Sequence, residues 1–284
     1  MNRRCFTLKL SRRTIELGRR TLVMGVVNVT PDSFSDGGEY FDHDRAVERA
    51  LEIEAEGADI IDIGGESARP GAKPITFEEE LRRVMPVIER VVGRVRIPLS
   101  IDTTKFDVAR VALGAGIEII NDVSGLRWDE RLADLAADYG AALVVMNMRG
   151  MPETMQTIPP SPDIFAEIEE YLHWAIEWAV AHGVKREQLL LDPGIGFGKT
   201  VEQNLVLINH LDRFAHFDLP LIIGTSRKMF IGKILNKPPQ ERLMGTAASV
   251  VAAIFRGAHI VRVHDVREMV EVVKVADAIS NATE

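Results

Sequence analysis

Asp102, Asn121 and Asp192 each follow directly on a short apolar run, and two carboxylates beside an amide suit the recognition of a heterocycle. Ionised carboxylates only accept hydrogen bonds, whereas an amide both donates and accepts. The set therefore matches a flat ring with adjacent ring N–H and exocyclic amine groups. Arg69, Arg262 and His264 supply the opposite chemistry, a cationic or donor-rich patch for phosphate oxygens. His264 ends an apolar run two residues after Arg262, whereas His43, His173, His182, His210, His216 and His259 read as structural or solvated.

The segment from Asp192 to Thr200 (DPGIGFGKT) imitates two phosphate motifs and satisfies neither. A phosphate-binding loop ending in Gly198-Lys199-Thr200 needs glycine where Pro193 stands, and a dinucleotide fingerprint needs other spacings at the first strand. What the glycines permit is a tight loop with exposed backbone, in which Phe197 can lie over a flat ligand. Met146, Met148, Met151 and Met155 read as loop packing, and Trp174 with Trp178 as a contact along one helix. Neither a Ser/His/Asp spacing nor an HExxH pattern occurs.

These residues need elements that bring them together. Apolar runs at Leu22 to Val29, Asp59 to Ile63, Ile97 to Ile101, Ile117 to Ile120, Ala141 to Met146, Leu189 to Leu191, Leu219 to Ile223 and Ile260 to Val263 suit strands buried on both faces. Helix-period segments lie between them, including Arg45 to Glu56 and Glu78 to Val92, the latter with a kink expected at Pro86. Eight such units in 284 residues predict one α/β domain, a (β/α)8 TIM barrel over 21–284, its floor closed by an N-terminal hairpin in 1–20. A doubly wound sheet is the structural alternative. Each run ends in polar groups, and the C-terminal rim is where barrel enzymes place their chemistry.

Composition narrows the function. Against 42 acidic residues stand 34 basic ones, a net charge of −8; seven of the basic residues fall in the first twenty, so the remainder carries −14. Such a body is a poor nucleic-acid partner, because phosphate neutralisation supplies non-specific affinity. Cys5 is the sole cysteine, which excludes an internal disulfide and a zinc ribbon and makes a cytoplasmic setting the expectation. The longest nearly apolar run, Ala247 to Phe255, is too short to span a bilayer, and the first residues alternate rather than forming a leader.

Met24-Gly-Val-Val-Asn28-Val-Thr-Pro-Asp-Ser-Phe-Ser-Asp-Gly-Gly38, followed by Asp62-Ile-Gly-Gly-Glu-Ser-Ala-Arg69-Pro-Gly, resembles the two signature segments of the dihydropteroate synthase family. The likeness continues through Ser100-Ile-Asp102-Thr, Ile120-Asn121-Asp122, Asp192 to Lys199, Ser226-Arg-Lys228 and Arg262-Val-His264-Asp-Val. It implies a barrel that joins 6-hydroxymethyl-7,8-dihydropterin pyrophosphate to p-aminobenzoate in folate synthesis by a dissociative mechanism, with magnesium as cofactor. By the same resemblance Asp102, Asn121, Asp192 and Lys228 fall on pterin-binding positions, and Asn28 meets the magnesium–pyrophosphate unit. Arg69, Arg262 and His264 fall on pyrophosphate positions, and Phe197 and Ser226 on the p-aminobenzoate pocket; Asp102, Lys228, Arg262 and His264 carry the catalysis. A homodimer is implied too, with Ala247 to Phe255 a candidate interface or simply a core helix.

This chain departs from the family at Asn147, where histidine is usual, and at Ala68, where a threonine commonly precedes the arginine. Two rival readings follow: a corrinoid-type pterin methyltransferase, which needs neither the Asn28 segment nor Arg69, and a silent pterin-binding paralogue.

Overall fold

The computed structural model describes residues 3–30 and 39–282. Strands β1 (Phe6–Lys9) and β2 (Thr14–Leu17) pair antiparallel as the expected hairpin. Then follow β3 (Leu22–Asn28), α1 (Glu39–Ala55), β4 (Ile60–Gly64), α2 (Phe77–Val91), β5 (Leu99–Asp102), α3 (Phe106–Ala115), β6 (Ile119–Asp122) and α4 (Leu132–Tyr139). The second half holds β7 (Ala142–Met146), α5 (Ile164–Ala181), β8 (Leu189–Asp192), α6 (Val201–Asn209), β9 (Ile222–Ile223), α7 (Met229–Leu235), α8 (Leu243–Phe255), β10 (Ile260–Val263) and α9 (Val266–Ser280).

Strands β3 to β10 form one parallel sheet in sequence order, with β10 returning to pair with β3. β8 and β9 meet through a single bridge between Leu191 and Leu221, and the Leu191 N–H donates to Pro220 O at 3.0 Å. The sheet closes, which removes the doubly wound alternative and leaves no exposed edge.

Successive strand residues point to opposite faces, so each strand serves two cores. One set, including Val23, Ile61, Leu99, Ile120, Leu143, Leu191 and Val261, packs outward on the helices. The alternate set, Met24, Ile60, Ile119, Val144, Leu190, Ile222 and Ile260, packs inside the barrel together with Leu8, Leu10 and Leu17 of the hairpin. The hairpin is therefore the floor of the barrel core. Moving up each strand by two residues, the inward positions become Asp62, Asn121, Asp192 and Arg262. The lower half of the barrel is oil and the upper half is a polar site.

Several boundaries differ from the sequence reading. The polar residues that end the apolar runs are themselves strand residues, because Asp102, Asn121, Asp122 and Asp192 still join the ladder. β9 shrinks to two residues, since Pro220 has no N–H to donate and a ladder needs one. α1 begins at Glu39, six residues before the expected start. α2 continues through Pro86, and Thr76 is its N-cap, its hydroxyl oxygen accepting the Glu79 N–H. Trp174 and Trp178 do pack on one helix, with ring centroids 6.1 Å apart.

The basic N-terminal stretch is spent on the floor. Arg3 pairs with Asp277, Arg4 with Asp218, Lys9 with Glu187, Arg13 with Glu118 and Arg20 with Asp59. Leu17 is fully buried beneath the barrel. Replacing Leu17 by Ala should cost ~2–5 kcal/mol, the range for emptying a core leucine site. Urea denaturation measures it, and a loss under ~1 kcal/mol would detach the hairpin from the core.

Candidate active site

The upper barrel interior is organised around one guanidinium. Arg262, on β10, places Nε 2.6 Å from Asp62 Oδ2 and Nη2 2.6 Å from Asp102 Oδ2. The same Asp62 oxygen accepts from Asn121 Nδ2 at 2.9 Å. Three inward positions on β4, β5 and β6 thus converge on β10 across the barrel mouth. Asp62 is fully buried, while Arg262 and Asp102 keep 22% and 14% of their side chains exposed, so an incoming ligand meets these two. Burial, opposed by the Arg262 charge, pushes the Asp102 carboxyl up to about 7. Burial likewise raises Asp192, against the Gly194 N–H and the charges of Lys228, Lys199 and Arg262.

The glycine loop after β8 forms the neighbouring wall. Asp192 Oδ1 accepts the Gly194 N–H at 2.7 Å, which turns the chain immediately beyond the strand. Gly194 has φ +71°, and a Cβ there would stand 1.8 Å from the Asn147 carbonyl oxygen. Gly196 has φ +85°, and its Cβ would press on Lys228 Cδ at 2.6 Å. Only glycine tolerates both demands. Lys228 reaches back over this loop, donating to Ile195 O at 2.6 Å with Nζ 3.8 Å from the Phe197 ring centroid. Burial lowers the Lys228 ammonium to about 7. Met146, Met148 and Met155 pack with Val123, Ala68 and Phe197 as an apolar flank; Met151 stands apart, exposed.

Ser226 and His264 pair on the third side. Ser226 Oγ accepts the His264 backbone N–H at 3.2 Å and lies 3.0 Å from Nδ1. The Ser226 hydroxyl holds the ring by its Nδ1, donating to it or accepting from it according to the tautomer. Burial, then Arg262 and Arg227, push His264 down to about 3. A ring lowered that far is uncharged at neutral pH, so hydrogen bonding rather than charge is what it offers. Arg69 is exposed on the loop after β4, near enough that its charge also lowers His264. The loop's base is pinned where Lys105 bridges Glu66 at 2.9 Å and buried Glu80 at 2.5 Å. The expected covering loop after Val29 falls largely in 31–38, outside the described residues.

Asn28 ends β3 opposite Gly64 and offers one amide oxygen at the rim. Among the described residues no cluster of three or more His, Cys, Asp or Glu is arranged around a metal position. Magnesium takes hard oxygen ligands, keeps several waters and is usually bound through one or two carboxylates plus substrate phosphates; Asn28 offers a hard but uncharged oxygen, which fits only where the phosphates supply the negative charge. A cavity of about 380 Å³ lies at the opposite end, between β1 and the loops at Arg186 and Asp218, and holds none of these side chains.

Sequence reading missed three participants. Asp62 lies within an apolar run, and only its inward register beside Ile60 marks it. Lys199 looked like the remnant of a phosphate loop, yet it is buried and bonded to protein oxygens. Glu80 sat in an acidic triplet that reads as a solvated helix start, but it is fully buried.

Comparison with known proteins places this architecture. The family model described as "Pterin binding enzyme" matches residues 24–264. The dihydropteroate synthase of Synechocystis is 45% identical over 273 residues, covering 96% of this chain and 94% of that protein. Among solved structures, the dihydropteroate synthase of Yersinia pestis with a sulfonamide drug superposes with a TM-score of 0.91 at 42% identity, covering 98% of this chain and 100% of that one. The Xanthomonas albilineans enzyme with 4-aminobenzoic acid gives 0.90 at 42% identity over the same shares.

Replacing Arg262 by Met leaves Asp62 and Asp102 facing each other uncompensated. A carboxyl raised in the folded state costs stability as pH climbs from its unfolded value of about 4 towards its folded one. The Tm gap between wild type and Arg262→Met should therefore widen from pH 5 to pH 8. Equal gaps at both pH values would show that the guanidinium does not balance these acids.

Proposed function

We propose, from the premise that this chain belongs to the pterin-binding enzymes and among them to the dihydropteroate synthases, a family of transferases, that it condenses 6-hydroxymethyl-7,8-dihydropterin pyrophosphate with p-aminobenzoate. The products are 7,8-dihydropteroate and pyrophosphate. The observation that carries the reading is the meeting of a heterocycle set and an anion set at Arg262, which Asp62 and Asp102 hold. The carboxylate and amide of Asp102, Asn121 and Asp192 match the pterin edge, and Lys228 spans between pterin and arylamine. Phe197 and Ser226 line the p-aminobenzoate side. Arg262, neutral His264 and Arg69 take the pyrophosphate.

The chemistry is read as dissociative. The methylene C–O bond breaks with its electron pair leaving on pyrophosphate, and the p-aminobenzoate nitrogen then bonds to the carbon and sheds a proton. Arg262 and His264 stabilise the oxygen charge more as it develops than before, which is the condition for lowering the barrier. Asp102, against the ring, offsets the positive charge of the pterin methylene. Bound through Asn28 and the substrate's own phosphates, magnesium would add Lewis-acid stabilisation of the leaving group. The apolar flank of Met146, Met148 and Val123 keeps water from the cation.

The assembly is read as a cytoplasmic homodimer. Leu205 and Val206 on α6, Ile234 on α7, and Met244 and Phe255 on α8 leave apolar side chains exposed on neighbouring helices, more than the Ala247 to Phe255 segment alone supplies. No helix among the described residues is long and apolar enough to cross a membrane.

A pyrophosphate-release assay with the pterin pyrophosphate, magnesium and p-aminobenzoate should show turnover that depends on p-aminobenzoate. Folded protein without such turnover would end this reading. Sulfonamides should compete with p-aminobenzoate, since Phe197 and Ser226 stand uninterrupted; inhibition that p-aminobenzoate does not relieve would show a differently built pocket.

A further inference from the structure

Lys199 is almost wholly buried, and its Nζ lies 3.0 Å from Asn147 O, 3.1 Å from Asn147 Oδ1, 2.9 Å from Gly194 O and 3.2 Å from Phe197 O. All four partners are uncharged oxygens. Three are backbone carbonyls aimed at one point, where the Lys199 N–H donors satisfy them although burial lowers its ammonium to about 7. Taking an ammonium out of water costs several kcal/mol, so it persists only where its donors are used. Here they bind the two ends of one turn, Gly194 and Phe197, to the strand end at Asn147. The carbonyl between them, Ile195 O, goes instead to Lys228. The carbonyls of this loop are thus shared between two lysines.

We infer that Lys199 is a positioning residue for the second substrate: through Asn147 it fixes the Gly194 to Phe197 turn, and so sets where the Phe197 ring and Lys228 stand for the arylamine. The role rests on the function proposed above. It also explains Asn147, whose amide oxygen and carbonyl both accept from this ammonium. Of the pterin set, Asp102 and Asn121 lie on other strands and do not hang on this loop, while Asp192 and Lys228 border it.

Steady-state kinetics of the full chain with both substrates and magnesium separate the possibilities. Lys199→Met keeps length and volume but loses every donor. It should raise the KM for p-aminobenzoate roughly tenfold, the scale of one lost charged hydrogen bond, and that for the pterin pyrophosphate less than about threefold. Asn147→Ala removes one acceptor while leaving the backbone carbonyl, and should move the p-aminobenzoate KM the same way by roughly threefold. If Lys199→Met does not fold, Asn147→Ala decides alone. Active wild type with both p-aminobenzoate KM values unchanged, or with the two substrates' KM values rising equally, overturns the inference. Inactive wild type instead overturns the function on which it rests.

Discussion

A guanidinium set inside a barrel mouth must have its charge met, and Asp62 and Asp102 meet that of Arg262 from two neighbouring strands. Neither carboxylate would be tolerated there without it, since each buried ion costs several kcal/mol unpaired. The three groups come from β10, β4 and β5, so their meeting depends on the closed ladder and its register. Asn121 joins through the same Asp62 oxygen, and Asp192 feels the same positive charge. The site is therefore one electrostatic unit rather than a ring of separate strand ends.

That unit shows where an acidic protein could meet the anionic substrate proposed for it. The net charge of −8 offers no long-range attraction, and the basic N-terminal stretch is neutralised at the floor, far from the mouth. Surface charge is screened over ~8 Å at physiological salt, while contacts within the barrel are screened far less. Arg262 and His264, both on or next to β10 at the mouth, act only at contact range. The floor and the mouth divide the work: the hairpin leucines seal the apolar half, which fixes the strands that aim the polar half.

Much of this was legible in the sequence. Apolar runs of strand length separated by helix-period segments announced the barrel, and the alternating leucines before Thr21 announced its floor. Asp102, Asn121, Asp192 and Arg262 could be named because each follows or interrupts such a run, whereas a role for Lys228 came from the resemblance to the family. Asp62 escaped because a single acid among isoleucines shows its direction only once the register of β4 is known. Glu80 escaped because burial of one acid in a triplet depends on α2 lying over Lys105, a contact 25 residues away in sequence. Lys199 was misleading for a related reason: GFGK resembles a phosphate loop, but glycines with positive φ turn it inward on Asn147.

The central claim is that Asp62, which need not touch substrate, holds Arg262 and Asn121 in working position. The most direct test is the kcat/KM for the pterin pyrophosphate in Asp62→Asn, measured on protein whose circular dichroism matches wild type. An amide of the same shape keeps the volume but surrenders the charged bond to Nε, and a misplaced catalytic cation can cost on the order of 100-fold in rate. The account predicts a fall of about that size. A folded Asp62→Asn variant with kcat/KM within about twofold of wild type would contradict it.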